Sequence, residues 1–296
     1  RASVPGMSRA PVRCVAFRCP ACWAFRAGMA VKTSGLVMEL NGVPADVNQI
    51  TALALMNYGH YTSMRVDDLR VRGLSLHLDR LVRDCRRVFD ADLDPNQIRR
   101  LVRHALARAP RSVVVRVTVF DPHLELGHPG ANAEPHVLVT LRPPTLRPYS
   151  PLRFQSAVYR RELPAIKHVG LFGALWRRRI AQRNGFDDVL FTDADSTISE
   201  AATSNIGLLD GEEIVWPQAP CLEGTTKRLI NQILDGRTTT RPVTLSQLVE
   251  ADAVFATNAA VGVRPIGAVD GFRWPGPHPT LNALSMHYAG ISPEQV

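Results

Sequence analysis

Lysine is almost missing from this sequence: of 35 Lys and Arg residues, only Lys32, Lys167 and Lys227 are lysines. A lysine kept where arginine has taken nearly every other cationic position marks a place that needs a primary amine. Long apolar runs are missing too. None approaches the roughly 20 residues that cross a bilayer, so no membrane span is expected. Aromatic residues are sparse, at 6%. Arginine groups such as Arg83, Arg86, Arg87 and Arg99, Arg100, Arg103 stand without aromatic interleaving, so the net charge of +8 reads as solvated helix faces and a nucleic-acid partner is not expected. Five cysteines in 296 residues cannot build a disulfide framework, which points to a reducing cytoplasm. Three of them, Cys14, Cys19 and Cys22, fall early; "CPAC" resembles half a zinc site, but no second Cys or His pair stands nearby, so no metal is expected.

The rest of the composition is that of a soluble globular protein long enough to bury a sizeable core. Residues 1–36 read as an N-terminal extension, with the folded part beginning near Met29–Met38. "LVMELNGVPAD" (36–46) reads as strand and turn with Asn41-Gly42 as hairpin signal. Residues 59–77 read as two strands around a turn at Asp67-Asp68. A helix is expected from His77 to about Phe89, and another over 94–109, opened by Asp94 and Pro95. Residues 112–120 and 134–144 are predicted strands, and the Pro-rich stretch 142–151 an interdomain linker. After it come a strand at 152–161, a helix ended by Asn184-Gly185, short strands from Asp187 to Pro217, and a helix over 225–236. A helix, strand and loop then run to Gly271, and a final segment closes the chain. The pattern is α+β in two domains: a small N-terminal α/β domain at 37–145 and a larger β-rich domain with helices at 146–296.

Four pieces carry chemistry. Lys167 lies among Ala165, Ile166 and Val169 just before a helix, where lost hydration favours the neutral, nucleophilic amine. Arginine cannot deprotonate and cannot form an imine, so the residue reads as a Schiff-base lysine; the blander alternative is a lysine snorkelling from an interface. Glu200, after a strand in "TISEAATSNI", could hydrogen-bond a pyridinium nitrogen or merely cap the following turn. "LEGTTKR" places Gly224, Thr225 and Thr226 at a helix N-terminus, where exposed N–H groups and a hydroxyl suit an anion. Arg80, in "LHLDRL", offers a planar fork for a phosphate.

In this order, "HYTSMRV", "LHLDRL", "IKHVG", "GFDDVLFTDADSTISEAATSNI", "LEGTTKR" and "TNAAVGVRPI" resemble the class IV aminotransferases, the fold-type IV pyridoxal-phosphate enzymes, over residues 37–270. That group includes branched-chain and D-amino acid aminotransferases and 4-amino-4-deoxychorismate lyase. The resemblance implies a two-domain fold whose large domain is barrel-like, a homodimer, and pyridoxal 5'-phosphate as cofactor. It implies that Lys167 carries the cofactor and acts as base, Glu200 partners the pyridine nitrogen, and Leu222 packs on the ring. Arg80, Thr225, Thr226 and Asn258 would hold the phosphate. Tyr61, Ser63, Arg65, Ala259 and Ala260 would face the substrate. Transamination between an amino acid and an oxo acid is the expected activity, with lyase-like β-elimination as the alternative. Asn258-Ala259 stands where transaminases usually have Gly-Thr, and "RVTVFDPHLELGHPG" lacks an expected arginine after its strand, so the substrate stays open. A basic binding module without chemistry is the remote alternative.

Overall fold

The computed structural model describes residues 37–144, 150–276 and 278–296. The expected N-terminal extension (1–36) with its early cysteines, and half of the Pro-rich stretch (145–149), lie outside these.

The first half of the chain builds one face-covered sheet. Strands β1 (Met38–Leu40) and β2 (Val43–Pro44) form a hairpin whose Asn41 and Gly42 have φ of 50° and 87°, the mirror turn that matches strand twist. Helix α1 (Val47–Met56) follows, then β3 (His60–Asp67), β4 (Arg70–Val71), α2 (Leu74–Phe89), α3 (Pro95–Leu106), β5 (Ser112–Phe120) and β6 (His136–Arg142). Helix α2 starts three residues earlier than His77, and the turn after β3 falls on Asp68 and Leu69. Valines 113, 115, 117 and 119 alternate onto one face of β5 and pack with Met64 and Val66 against Leu78, Leu81 and Cys85 of α2 and Ile98 and Val102 of α3. The opposite face carries Tyr61, Ser63 and Arg116; Ser63 pairs directly with Arg116 across the strands.

The second half opens with β7 (Leu152–Val158), α4 (Phe172–Arg183), β8 (Asp188–Thr192) and β9 (Ile198–Ala201). Next come β10 (Asn205–Asp210), β11 (Glu213–Pro217), α5 (Thr225–Leu234), β12 (Thr238–Arg241) and α6 (Leu245–Glu250). The described part closes with β13 (Ala253–Asn258), β14 (Gly262–Val269), β15 (Phe272–Arg273), α7 (Pro279–Gly290) and β16 (Glu294–Gln295). The second sheet runs β12-β11-β10-β13-β14-β7-β8-β9, with β15 on the flank of β14, and it curls into a half-barrel. Leu190, Ile206, Val254 and Ile266 fill one side, while Leu229, Ile230, Leu281 and Leu284 join α5 and α7 to the other. Residues 262–269, expected to be loop, are a strand despite Pro265, because β13 and β7 flank it on both sides.

The first sheet is completed from far along the chain: its order is β16-β4-β3-β5-β6-β1-β2. Glu294 accepts bonds from the Ser75 backbone N–H (3.0 Å) and hydroxyl (3.1 Å), capping α2, whose own N-cap residue, Gly73, has no side chain to do so. Gly73 sits at φ +68°, and a Cβ there would meet Thr225 and Leu229 at 3.0 Å. The two helices that carry Arg80 and Thr225 therefore approach at a point only glycine fits.

Candidate active site

Lys167 lies on an irregular segment between β7 and α4, and nearly every turn of that segment is tied down by a charged group. Arg161 donates to the carbonyls of Pro164 (2.6 Å) and Ile166 (3.4 Å). Arg83 donates to the Ala165 carbonyl at 3.2 Å and to the Asp84 carboxylate at 2.7 and 3.0 Å. Asp84, fully buried, accepts the Lys167 backbone N–H at 3.2 Å, and the Lys167 carbonyl accepts from Tyr61 N–H at 2.8 Å. The amine is thus aimed by a main chain that cannot slide.

That amine enters a cavity of about 360 Å³, within the size range of small-molecule sites. Lys167 is half-buried and lines this cavity. Burial, joined by the positive charges of Arg80, Arg161 and Arg116 and opposed by Glu200, brings its pKa down from 10.5 to about 7. Its Nζ stands 4.9 Å from the Tyr61 ring centroid, and the Arg116 guanidinium carbon lies 3.7 Å from the same centroid.

Glu200 is buried at the end of β9. Arg161 Nε donates to one of its oxygens at 2.7 Å and the Leu222 N–H to the other at 3.3 Å. Burial pushes the carboxyl up, and Arg161 partly reverses the shift. Asn205 clamps the neighbouring loop: its Nδ2 donates to the Leu222 carbonyl at 2.6 Å and its Oδ1 accepts the Gly224 N–H at 3.0 Å. A Cβ on Gly224 would come within 2.2 Å of that oxygen, so the loop requires glycine there.

Arg80 is buried; it donates to the Thr62 hydroxyl at 2.5 Å and to His77 Nδ1 at 3.2 Å. Its Nε has no partner among the described residues, and burial lowers its pKa to about 10, still charged at neutral pH. It lines the cavity together with Gly224 and Thr225 at the N-terminus of α5. A buried guanidinium with an orphaned donor beside a helix N-terminus offers the charge and the donors that an anion needs. Thr257, whose buried hydroxyl also has no partner among the described residues, lines the same cavity.

The structure therefore brings Lys167, Glu200, Arg80, Leu222, Thr225, Tyr61, Ser63, Asn258, Ala259 and Ala260 to one cavity. Thr226 is buried beside them, its hydroxyl 3.4 Å from that of Tyr288. Two of these differ from expectation in detail. The Asn258 side chain is spent on its own turn, accepting from Ala260 and Val261 N–H groups and donating to Ser204. The Ala260 amide is accordingly engaged. Arg65 does not join the cavity. It shares the strand face of Tyr61 and Ser63, but its guanidinium pairs with Asp67 at 2.9 Å at the exposed end of β3. Sequence reading missed Arg116, Arg161 and Asp84. The alternation of β5 could have flagged Arg116 as the polar intruder in a valine run; Arg161 and Asp84 act through tertiary pairing and leave no local signal.

Comparison with known proteins agrees with the motif order. Residues 59–269 match the family described as amino-transferase class IV. The mitochondrial branched-chain-amino-acid aminotransferase 1 of Arabidopsis thaliana is 37% identical over 112 residues, 36% of this chain and 29% of that protein. The match thus covers less than a third of the relative's length. The fold resembles the branched-chain amino acid aminotransferase from Escherichia coli, with a TM-score of 0.76 at 20% identity over 86% of this chain and 93% of that one. It also resembles the fold IV transaminase CpuTA1 of Curtobacterium pusillum, with a TM-score of 0.72 at 21% identity over 84% and 94%. With most of the chain inside the matched region, this protein belongs to the class IV aminotransferases.

Proposed function

We propose that the protein moves an amino group between an amino acid and a 2-oxo acid, using pyridoxal 5'-phosphate. The observation that carries this reading is an amine titrating near neutrality, Lys167, in one cavity with the charged fork of Arg80 and the buried carboxylate of Glu200. A branched-chain amino acid aminotransferase of similar fold has been solved with pyridoxamine 5'-phosphate, and the residues here fit such a group. Arg80 and the N-terminus of α5 would hold the phosphate, Glu200 the ring nitrogen, Leu222 the ring face, and Lys167 the reactive carbon. When bound, the cofactor supplies an electron sink for the carbanion left at the substrate's α-carbon.

The protein's own residues supply the rest. Lys167, whose pKa lies near neutrality, would take the proton from the substrate's α-carbon and deliver it to the cofactor carbon that ends up bearing the amino group, a transfer worth about 10²–10⁴-fold. Arg161 opposes the rise that burial imposes on the Glu200 carboxyl and so favours its ionised form, which would hold a proton on the ring nitrogen. Arg116, over the Tyr61 ring and opposite Ser63, supplies the cation that receives a substrate carboxylate.

Helix α4 borders this cavity and presents a stripe of Phe172, Leu175, Trp176 and Ile180 to the outside, each at least 41% exposed. Their spacing puts them on one side, and a second copy covering that stripe makes a homodimer. Trp176→Asp is expected to shift the protein to monomer in sedimentation equilibrium. An unchanged mass would remove α4 from the interface. Among the described residues, no helix is long and apolar enough to cross a membrane, and the free thiols of Cys85 and Cys221 suit the cytoplasm.

The activity is tested by incubating cofactor-loaded protein with aliphatic L-amino acids and a 2-oxo acid acceptor. Matched formation of a new amino acid and a new oxo acid is the expected result. In a second arm with an amino acid bearing a leaving group at Cβ, release of that group without amino transfer in either arm would favour elimination and sink this reading.

A further inference from the structure

A second cavity of about 280 Å³ lies on the far side of the Ala259–Gly262 turn, where β3, the start of α2, and α7 meet. Arg65, Asp67, Arg72, His77 and Tyr288 contribute to its wall. His77 is fully buried, and its protonation can be worked out from its partners. Nδ1 stands 3.2 Å from Arg80 Nη2, which can only donate, and 2.7 Å from the Thr62 hydroxyl. Nδ1 is therefore the acceptor. Burial holds the ring neutral, so its single proton sits on Nε2. That Nε2–H is a buried donor with no acceptor among the described residues, and so is Arg72 Nε–H in the same wall. Arg72 uses another nitrogen to reach the Ala289 carbonyl at 2.8 Å, which fixes the guanidinium beside α7. An orphaned buried donor destabilises the fold unless an acceptor meets it.

The charges decide which acceptor. Arg65 is paired with Asp67, His77 is neutral, and Arg72 has no ion-pair partner among the described residues. The wall thus carries one uncompensated positive charge. We propose that this cavity is a second binding site, separate from the cofactor cavity, that takes a small monocarboxylate between His77 Nε2–H and Arg72 Nε–H. A carboxylate offers two acceptor oxygens and one negative charge, meeting both orphans and the net charge together. The site shares the 259–261 turn with the catalytic cavity, and His77 Nδ1 touches Arg80, so an occupant rests against the phosphate cup from behind.

The test uses cofactor-loaded protein and ¹³C-acetate as probe. With the cofactor in place the phosphate cup is filled, so acetate binding there is recognised by loss of cofactor absorbance. We expect saturable binding of one acetate per chain and a downfield move of a slowly exchanging histidine Nε2–H resonance, with the cofactor spectrum unchanged. Arg72→Gln should weaken acetate binding about tenfold or more, the scale of one charge-assisted hydrogen bond. Arg72→Lys keeps the charge but loses the Nε–H, and should weaken it by a smaller factor; it also serves if the glutamine variant folds poorly. Absence of saturable binding, binding indifferent to both Arg72 variants, or displacement of the cofactor by acetate would each overturn the site. None of these readouts needs turnover, so failure of the transaminase reading is seen separately.

Discussion

Lys167→Ala is expected to lower turnover about 10⁴-fold, the upper end of what a positioned proton-transfer group contributes. The more telling effect is on stability. In the unfolded chain this lysine titrates near 10.5, in the fold near 7. Between those values the unfolded chain binds a proton that the folded one has released, so the stability of cofactor-free protein rises with pH across that window. Below about pH 7 both states are protonated and the full cost of a buried cation remains, a few kcal/mol at about 1.4 per pKa unit, eased by water in the cavity. Lys167→Met, which refills the space without charge, should therefore melt above wild type at pH 6 and lose that advantage above about pH 10.5. Calorimetry of cofactor-free protein at the two pH values checks this. Equal gains at both would show that the amine is not held in a lowered state. Catalysis and stability oppose each other at this residue.

Arg161→Met should destabilise the protein by about 3–5 kcal/mol, the scale for breaking a buried ion pair and leaving one partner unpaired. The remaining carboxylate, Glu200, already titrates above 4.5 because it is buried, and losing Arg161 lifts it further. Working out the sign, between about pH 4.5 and its own raised folded value Glu200 holds a proton in the folded variant that the unfolded chain has lost, so stability falls as pH rises through that window and levels off above it. The gap to wild type is therefore expected to be widest at pH 8 and to narrow as pH falls toward 4.5. Chemical denaturation across that range measures it. A gap constant with pH would assign the loss to the freed carbonyls of Pro164 and Ile166 instead. Turnover should drop as well, because the same arginine braces both the lysine segment and Glu200.

Elements whose local chemistry is complete are readable in advance, and those that depend on neighbours are not. The valine run of β5 and the Asp94–Pro95 start of α3 declare themselves in a few residues. Helix α1 escapes such reading because none of its residues is fully buried and only Ile50 and Leu53 pack partly against Leu40, Phe120 and Leu138, although Asp46 and Gln49 form a capping box at its start. In the site, the order of Arg80, Lys167, Glu200 and Thr225 is visible as motifs. Their convergence, and the arginines and aspartate that brace them, depend on which strands and helices meet. Arg65 shows the limit of periodicity: alternation places it on the right face, but its position near the strand end lets Asp67 capture it.

The Ser75–Glu294 cap also bears on the order in which the protein can be made. Its partners are separated by 219 positions, and β16 joins the first sheet over a similar span. A ribosome adding about 5–20 residues per second delivers α2 some ten seconds or more before the group that caps it. Until then the helix bearing Arg80 has an open end, and the first sheet lacks its β16 edge. The Arg80 segment is therefore among the last parts to set, and a nascent chain stalled before residue 290 should hold native-like β5 and β6 while binding cofactor poorly.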